Sequence, residues 1–139
     1  DRSIFKIVDL DEAWAFLNVA QGETLSNKLV RAGRAMNAGV YFVTQSSGDV
    51  SKESLKNNIG LKFAFRSTDT NEIKQTLEFF GLDSEDENNQ KRLRDLENGQ
   101  CLMQDLYGRV GVVQIHPVFV ELLHAFDTRP PIKSEVDLE

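Results

Sequence analysis

The opening of the chain limits its fold more than any other feature. Ser3-Ile4-Phe5-Lys6-Ile7-Val8-Asp9-Leu10 is a short, largely apolar run that stops abruptly at two carboxylates, Asp11 and Glu12. A buried parallel strand reads this way when its carboxyl end opens onto a site. Val40-Tyr41-Phe42-Val43-Thr44 repeats the pattern with β-branched and aromatic residues and runs into the polar loop Gln45-Ser46-Ser47-Gly48. Between the two lie helical segments, Ala13 to Ala20 and Thr24 to Ala38, separated by Gly22. On the second, Leu25, Leu29, Ala32 and Met36 share one face, and Gly39 stands at the expected stop.

Downstream, Leu61 to Arg66 reads as a third strand, and Thr68 or Asp69 can cap a helix running to Phe80 before Gly81. Asp49 to Asn58 is weakly helical. The acidic stretch Asp83 to Glu87 reads as a solvated loop leading to a short charged helix near Gln90 to Glu97. Gln100 to Leu106 and Arg109 to Ile115 form a hairpin across Tyr107-Gly108, and a short apolar helix follows Pro117. Strands alternating with helices before a terminal hairpin predict an α/β fold with a sheet that is parallel at its centre, over residues 1–128, with a polar tail over 129–139.

Composition narrows the function classes. With 40% hydrophobic and 27% charged residues, the chain is neither collagen-like nor disordered. The single cysteine, Cys101, excludes an intramolecular disulfide framework and points to a reducing, cytoplasmic compartment. No apolar run approaches membrane-spanning length. Twenty-two acids against sixteen bases give a net charge of -6, which argues against a surface devoted as a whole to nucleic acid.

The chemistry-bearing candidates gather where the strands end. Asp11 and Glu12 have two readings: a helix N-terminus favoured by the dipole, or a pair in which the aspartate holds Mg²⁺ through water and the glutamate polarises the water that attacks a γ-phosphate. Gln45 is either a loop amide or a group touching phosphate and attacking water at the carboxyl edge of a parallel sheet. Arg34, nearly opposite the Leu25 face, belongs to a solvated basic stripe or offers its guanidinium to a neighbouring subunit's phosphate. Arg66 is a phosphate contact at the same edge or half of an ion pair. Arg109 reads as a hairpin-end residue, Trp14 as core, His116 and His124 as structural, and Cys101 as a buried, inert thiol.

Ile7-Val8-Asp9-Leu10-Asp11-Glu12-Ala13-Trp14, followed by Arg34-Ala35-Met36-Asn37-Ala38-Gly39-Val40-Tyr41-Phe42-Val43-Thr44-Gln45, resembles the C-terminal half of the ATPase domain of VirB/TraC-class conjugative type IV secretion ATPases, relatives of the FtsK and HerA motors. Gly99-Gln100-Cys101-Leu102-Met103 is similar to that family's closing segment. Asp9 departs from the pattern, where the family usually has an apolar residue. The resemblance implies a partial RecA-like P-loop NTPase core, with Asp11 and Glu12 as the Walker B pair, Gln45 as phosphate sensor and Arg34 as an arginine finger acting across a hexamer interface. It further implies ATP and Mg²⁺ as cofactors, other secretion or conjugation components as partners, and a cytoplasmic position at the inner face of the membrane.

No G-x-x-x-x-G-K-[ST] phosphate loop occurs in the 139 residues. The expectation is therefore a motor-domain fragment beginning just ahead of Walker B, unable to hydrolyse ATP or bind it tightly alone. A DNA translocase or coupling protein is the alternative within the motor class. A non-catalytic docking module is the alternative outside it.

Overall fold

The computed structural model describes residues 2–50, 56–125 and 127. The side chains of Trp14, Glu23, Arg34, Asp49 and Val50 lie outside that description, as do residues 51–55 of the weakly helical stretch expected over Asp49 to Asn58 and the tail from 129 onward. Strand β1 (Lys6–Leu10) leads through a two-residue turn into α1 (Ala13–Leu17) and α2 (Ala20–Met36), then into β2 (Ala38–Phe42). A 3-10 turn at Ser47–Val50 is followed by β3 (Lys62–Ala64), α3 (Thr70–Phe80) and α4 (Glu87–Arg94). The hairpin β4 (Gln100–Gln104) and β5 (Val110–Gln114) and the short α5 (Val120–Ala125) complete the order.

The strands form two sheets. β1 and β2 are parallel, in register from Lys6 opposite Ala38 to Leu10 opposite Phe42. β3, β4 and β5 form a separate antiparallel sheet. The α/β class and the parallel pairing of the first two strands agree with the sequence reading, whereas the third strand does not join them. At three residues, β3 is shorter than the five-residue hairpin strands and pairs along its whole length with β4, Phe63 opposite Met103.

The core lies between the sheets. Ile73, Leu77, Phe79 and Phe80 of α3 form one buried cluster with Leu93, Leu96 and Leu102 and with Ala13 and Leu17 of α1. α3 begins at Asp69, whose carboxylate accepts the Glu72 N–H at 2.8 Å, and ends at Gly81 in the left-handed region (φ 74°). Its last carbonyls are satisfied by three long side chains. Lys56 donates to Glu78 O (2.6 Å), Lys62 to Phe79 O (2.8 Å) and Gln104 to Phe80 O (2.9 Å). Two ammonium groups at a helix C-terminus also oppose its negative dipole end.

Three sequence expectations are corrected here. Gly22 does not break the helical segment but lies inside α2, where an added Cβ would collide with the Phe16 carbonyl of α1. The most buried face of α2 runs through Gly22, Ser26 and Gly33, with Val30 packed against the core, while on the expected apolar face Leu25 and Met36 are exposed and Leu29 and Ala32 half-buried. Close backbone approach decided that face, because large side chains could not lie where a Gly33 Cβ would sit 2.7 Å from Ala38 O. Finally, α2 stops at Asn37, left-handed at φ 51°, and Gly39 is inside β2. Asparagine tolerates that conformation better than most side chains, so a glycine is not required.

Strand β1 is not buried. Phe5 and Ile7 are about 60% exposed, as is Tyr41 on β2, and Asp9 is exposed too. Among the described residues no element covers this face. The strand carries the composition of a two-sided buried strand and is covered on only part of its surface.

Candidate nucleotide edge

Parallel pairing places the carboxyl ends of β1 and β2 side by side. Two backbone bonds continue the pairing past the last ladder rung: Val43 N–H donates to Leu10 O at 3.0 Å, and Ala13 N–H to Val43 O at 2.8 Å. The turn Asp11-Glu12 and the loop starting at Thr44-Gln45 therefore leave one edge within a residue or two of each other in register. This is the position at which open α/β sheets bind ligands.

Glu12 adopts φ 51°. A non-glycine, non-asparagine residue in the left-handed region costs about 1–2 kcal/mol, and here it redirects the chain from strand to helix in two residues. The Asp11 carboxylate supports the bend by accepting the Glu12 N–H at 2.9 Å. Asp11, Glu12 and Gln45 are all exposed. The pair does stand at a helix N-terminus, directly before α1 at Ala13, but Asp11 does not cap that helix at its second or third N–H: its carboxylate bonds the next residue.

Among the described residues no cluster of three or more His, Cys, Asp or Glu side chains forms a metal site. Two exposed carboxylates and an amide on one edge suit a hydrated Mg²⁺, which keeps several waters and takes its remaining ligands from one or two carboxylates and from phosphates. That donor set fits the metal half of a nucleotide site. The phosphate-cradling half, a glycine-rich loop with its lysine, is absent from this sequence.

The loop after Gln45 is pinned. Glu72, in the first turn of α3, accepts the Ser46 hydroxyl at 2.9 Å, the Ser47 N–H at 2.7 Å and the Ser47 hydroxyl at 2.9 Å. Thr76, one turn on, donates its hydroxyl to Ser47 Oγ at 3.1 Å. Sequence reading missed Glu72. Its signal was the spacing Asp69-x-x-Glu72, a capping-box pattern whose glutamate should reach back to the helix start; instead the carboxylate turns to the serines.

The other candidates separate. Arg34 is on α2, one turn before β2, with its side chain outside the description. Arg66 follows β3 in the second sheet and is exposed, so it does not lie on the edge of the β1–β2 sheet where the sequence reading put it. Arg109 bonds Asp105 Oδ2 at 2.6 Å across the hairpin turn. Cys101 is fully buried, and burial raises its thiol pKa, which keeps it protonated. His116 and His124 are exposed. No helix among the described residues is long and apolar enough to cross a membrane.

Residues 1–126 match the family model of the AAA-like domain. The chain is also 34% identical over 119 residues to the uncharacterized protein YddE of Bacillus subtilis (strain 168), an alignment covering 86% of this chain and 14% of that protein. The parallel β1–β2 pair with its acidic carboxyl edge is thus the edge of a P-loop-ATPase-type α/β fold, and the chain belongs to the AAA-like domain family.

Proposed function

We propose that this chain is the metal-holding and water-activating part of an ATP-hydrolysing motor subunit of the VirB/TraC class, energising substrate transfer or pilus assembly in a conjugative type IV secretion machine. The observation that carries the proposal is the single carboxyl edge shared by Asp11, a left-handed Glu12 and Gln45. Strain stored at a charged, exposed residue is characteristic of a site that needs that residue in that place. The family match over residues 1–126 and the Asp-Glu-Ala-Trp and Arg34 to Gln45 segments support the class.

In this reading Mg²⁺, when bound with ATP, neutralises charge on the β- and γ-phosphates. Asp11 holds its water shell. Glu12 accepts a hydrogen bond from the attacking water and orients it in line. Gln45 bridges that water and a γ-phosphate oxygen. The phosphate loop comes from sequence beyond this chain. Arg34, on α2, reaches the site of the adjacent subunit in a hexamer, where a planar guanidinium meets developing phosphoryl charge. The machine sits at the cytoplasmic face of the membrane through its other components.

Mixing tests the arrangement in trans. In the full-length protein, Arg34→Ala and Glu12→Gln should each abolish steady-state turnover, and hexamers assembled from both should recover part of it, because some interfaces join an intact Glu12 to an intact Arg34. Verified co-assembly without recovery would contradict action across subunits. Donor cells carrying Glu12→Gln should transfer no DNA; undiminished conjugation would remove the secretion role.

A further inference from the structure

Gln45 is exposed, and an exposed amide on a loop would ordinarily sample many orientations. Here the loop is fixed within two residues on either side. Upstream, Val43 is tied on both its N–H and its carbonyl to the chain around the β1 terminus. Downstream, Ser46 and Ser47 are tied to α3 through one carboxylate that accepts three hydrogen bonds. The Ser47 hydroxyl donates to Glu72 and accepts from Thr76, so its direction is fixed as well. Gly48 lies so close to α3 that an added Cβ would stand 2.7 Å from Gln75 Oε1. Charge-assisted bonds to a carboxylate are about twice as strong as neutral ones, and this carboxylate sits in the first turn of a helix, where the dipole favours it.

We propose that Glu72 is the positioning residue of Gln45: by clamping Ser46 and Ser47 onto α3, it holds the amide where it meets the attacking water and the γ-phosphate. The proposal rests on the nucleotide reading of the edge. It assigns to α3 a second task beside core packing. The helix carries the Gln45 loop at its N-terminal end and the second sheet at its C-terminal end, through Lys62 and Gln104.

The test is steady-state ATP hydrolysis by the full-length protein. Glu72→Ala should lower kcat by about ten- to a hundredfold while leaving the KM for ATP within about twofold, because orientation of the amide matters mainly in the transition state. Glu72→Gln keeps an oxygen to accept both Ser47 hydrogens and should recover to within about threefold of wild type. In a Gln45→Ala background, Glu72→Ala should add nothing further, since the group it positions is gone. Should Glu72→Ala not accumulate as folded protein, the double variant Ser46→Ala/Ser47→Ala makes the same test from the loop side. An unchanged kcat, or effects of Glu72 and Gln45 that multiply, would overturn the proposal. If Glu12→Gln and Gln45→Ala themselves leave turnover intact, the nucleotide reading falls, and the clamp's proposed purpose with it.

Discussion

Glu12 pays for its place with backbone strain, and the size of that strain can be measured. Relieving a left-handed non-glycine residue gains about 1–2 kcal/mol, while a glycine's extra unfolded-state freedom costs about 0.5–1 kcal/mol. Glu12→Gly should therefore stabilise the fold by about 0.5–1 kcal/mol in urea unfolding, whereas Asn37→Gly, at the same φ of 51°, should gain nothing because asparagine already tolerates it. Equal effects at both positions would argue against strain peculiar to Glu12. The Asp11-Glu12 pair was legible in the sequence as an interruption of an apolar run; the strain was not, because φ depends on how β1 and α1 are joined. Asp105 gives a second residue-scale prediction. Desolvation raises its pKa, but this is outweighed by the Arg109 N–H and guanidinium and the Tyr107 N–H, and the carboxyl lies below its ordinary 3.8. A group depressed in the folded state stabilises above its unfolded value and loses that contribution as pH falls through the folded one. Asp105→Asn should thus lower stability near neutrality and reduce its acid dependence below about pH 4, read from unfolding midpoints across pH. Parallel curves for the two proteins would contradict this.

At the scale of elements, the helix α2 shows why a sequence pattern can select the wrong face. Leu25, Leu29, Ala32 and Met36 have the spacing of a core stripe, yet the chain packs on Gly22, Ser26, Val30 and Gly33, because two backbones meet there. Gly22→Ala sets two effects against each other: alanine improves helix propensity by about 1 kcal/mol, and forcing a methyl against the Phe16 carbonyl costs about 1–3 kcal/mol or more. The clash involves backbone on both sides and cannot relax by a rotamer change, which puts the cost at the upper end of that range, so destabilisation should win by about 2 kcal/mol. Gly111→Ala, with nothing within 4 Å of its added Cβ, is the tolerated control. Elements specified by local chemistry were readable: α3 from Asp69 to Gly81, and the hairpin across Gly108 at φ 78°. The partition into two sheets was not, because strand pairing is set by contacts distant in sequence. The Glu72 clamp was hidden for the same reason, since 25 residues separate its carboxylate from Ser47.

At the scale of the whole molecule, large apolar side chains stand exposed along Ile4, Phe5 and Ile7 and again at Tyr41 and Val43, beside a β1–β2 sheet with just two strands among the described residues. Open strand edges and contiguous apolar surface drive association. The isolated 139-residue chain should self-associate as its concentration rises, measured by light scattering; a strict monomer at all concentrations would contradict an uncovered edge. The chain spans 14% of the length of the relative it matches. The central claim concerns the acidic edge, and its most direct measurement pairs nucleotide binding with turnover in the full-length protein bearing Glu12→Gln. Shape and volume are kept, and the carboxylate proposed to polarise the attacking water is lost. The account predicts Mg-ATP affinity within about threefold of wild type and hydrolysis reduced by about a hundredfold or more. Hydrolysis close to the wild-type rate, with binding intact, would show that the attacking water is activated somewhere other than at the end of β1.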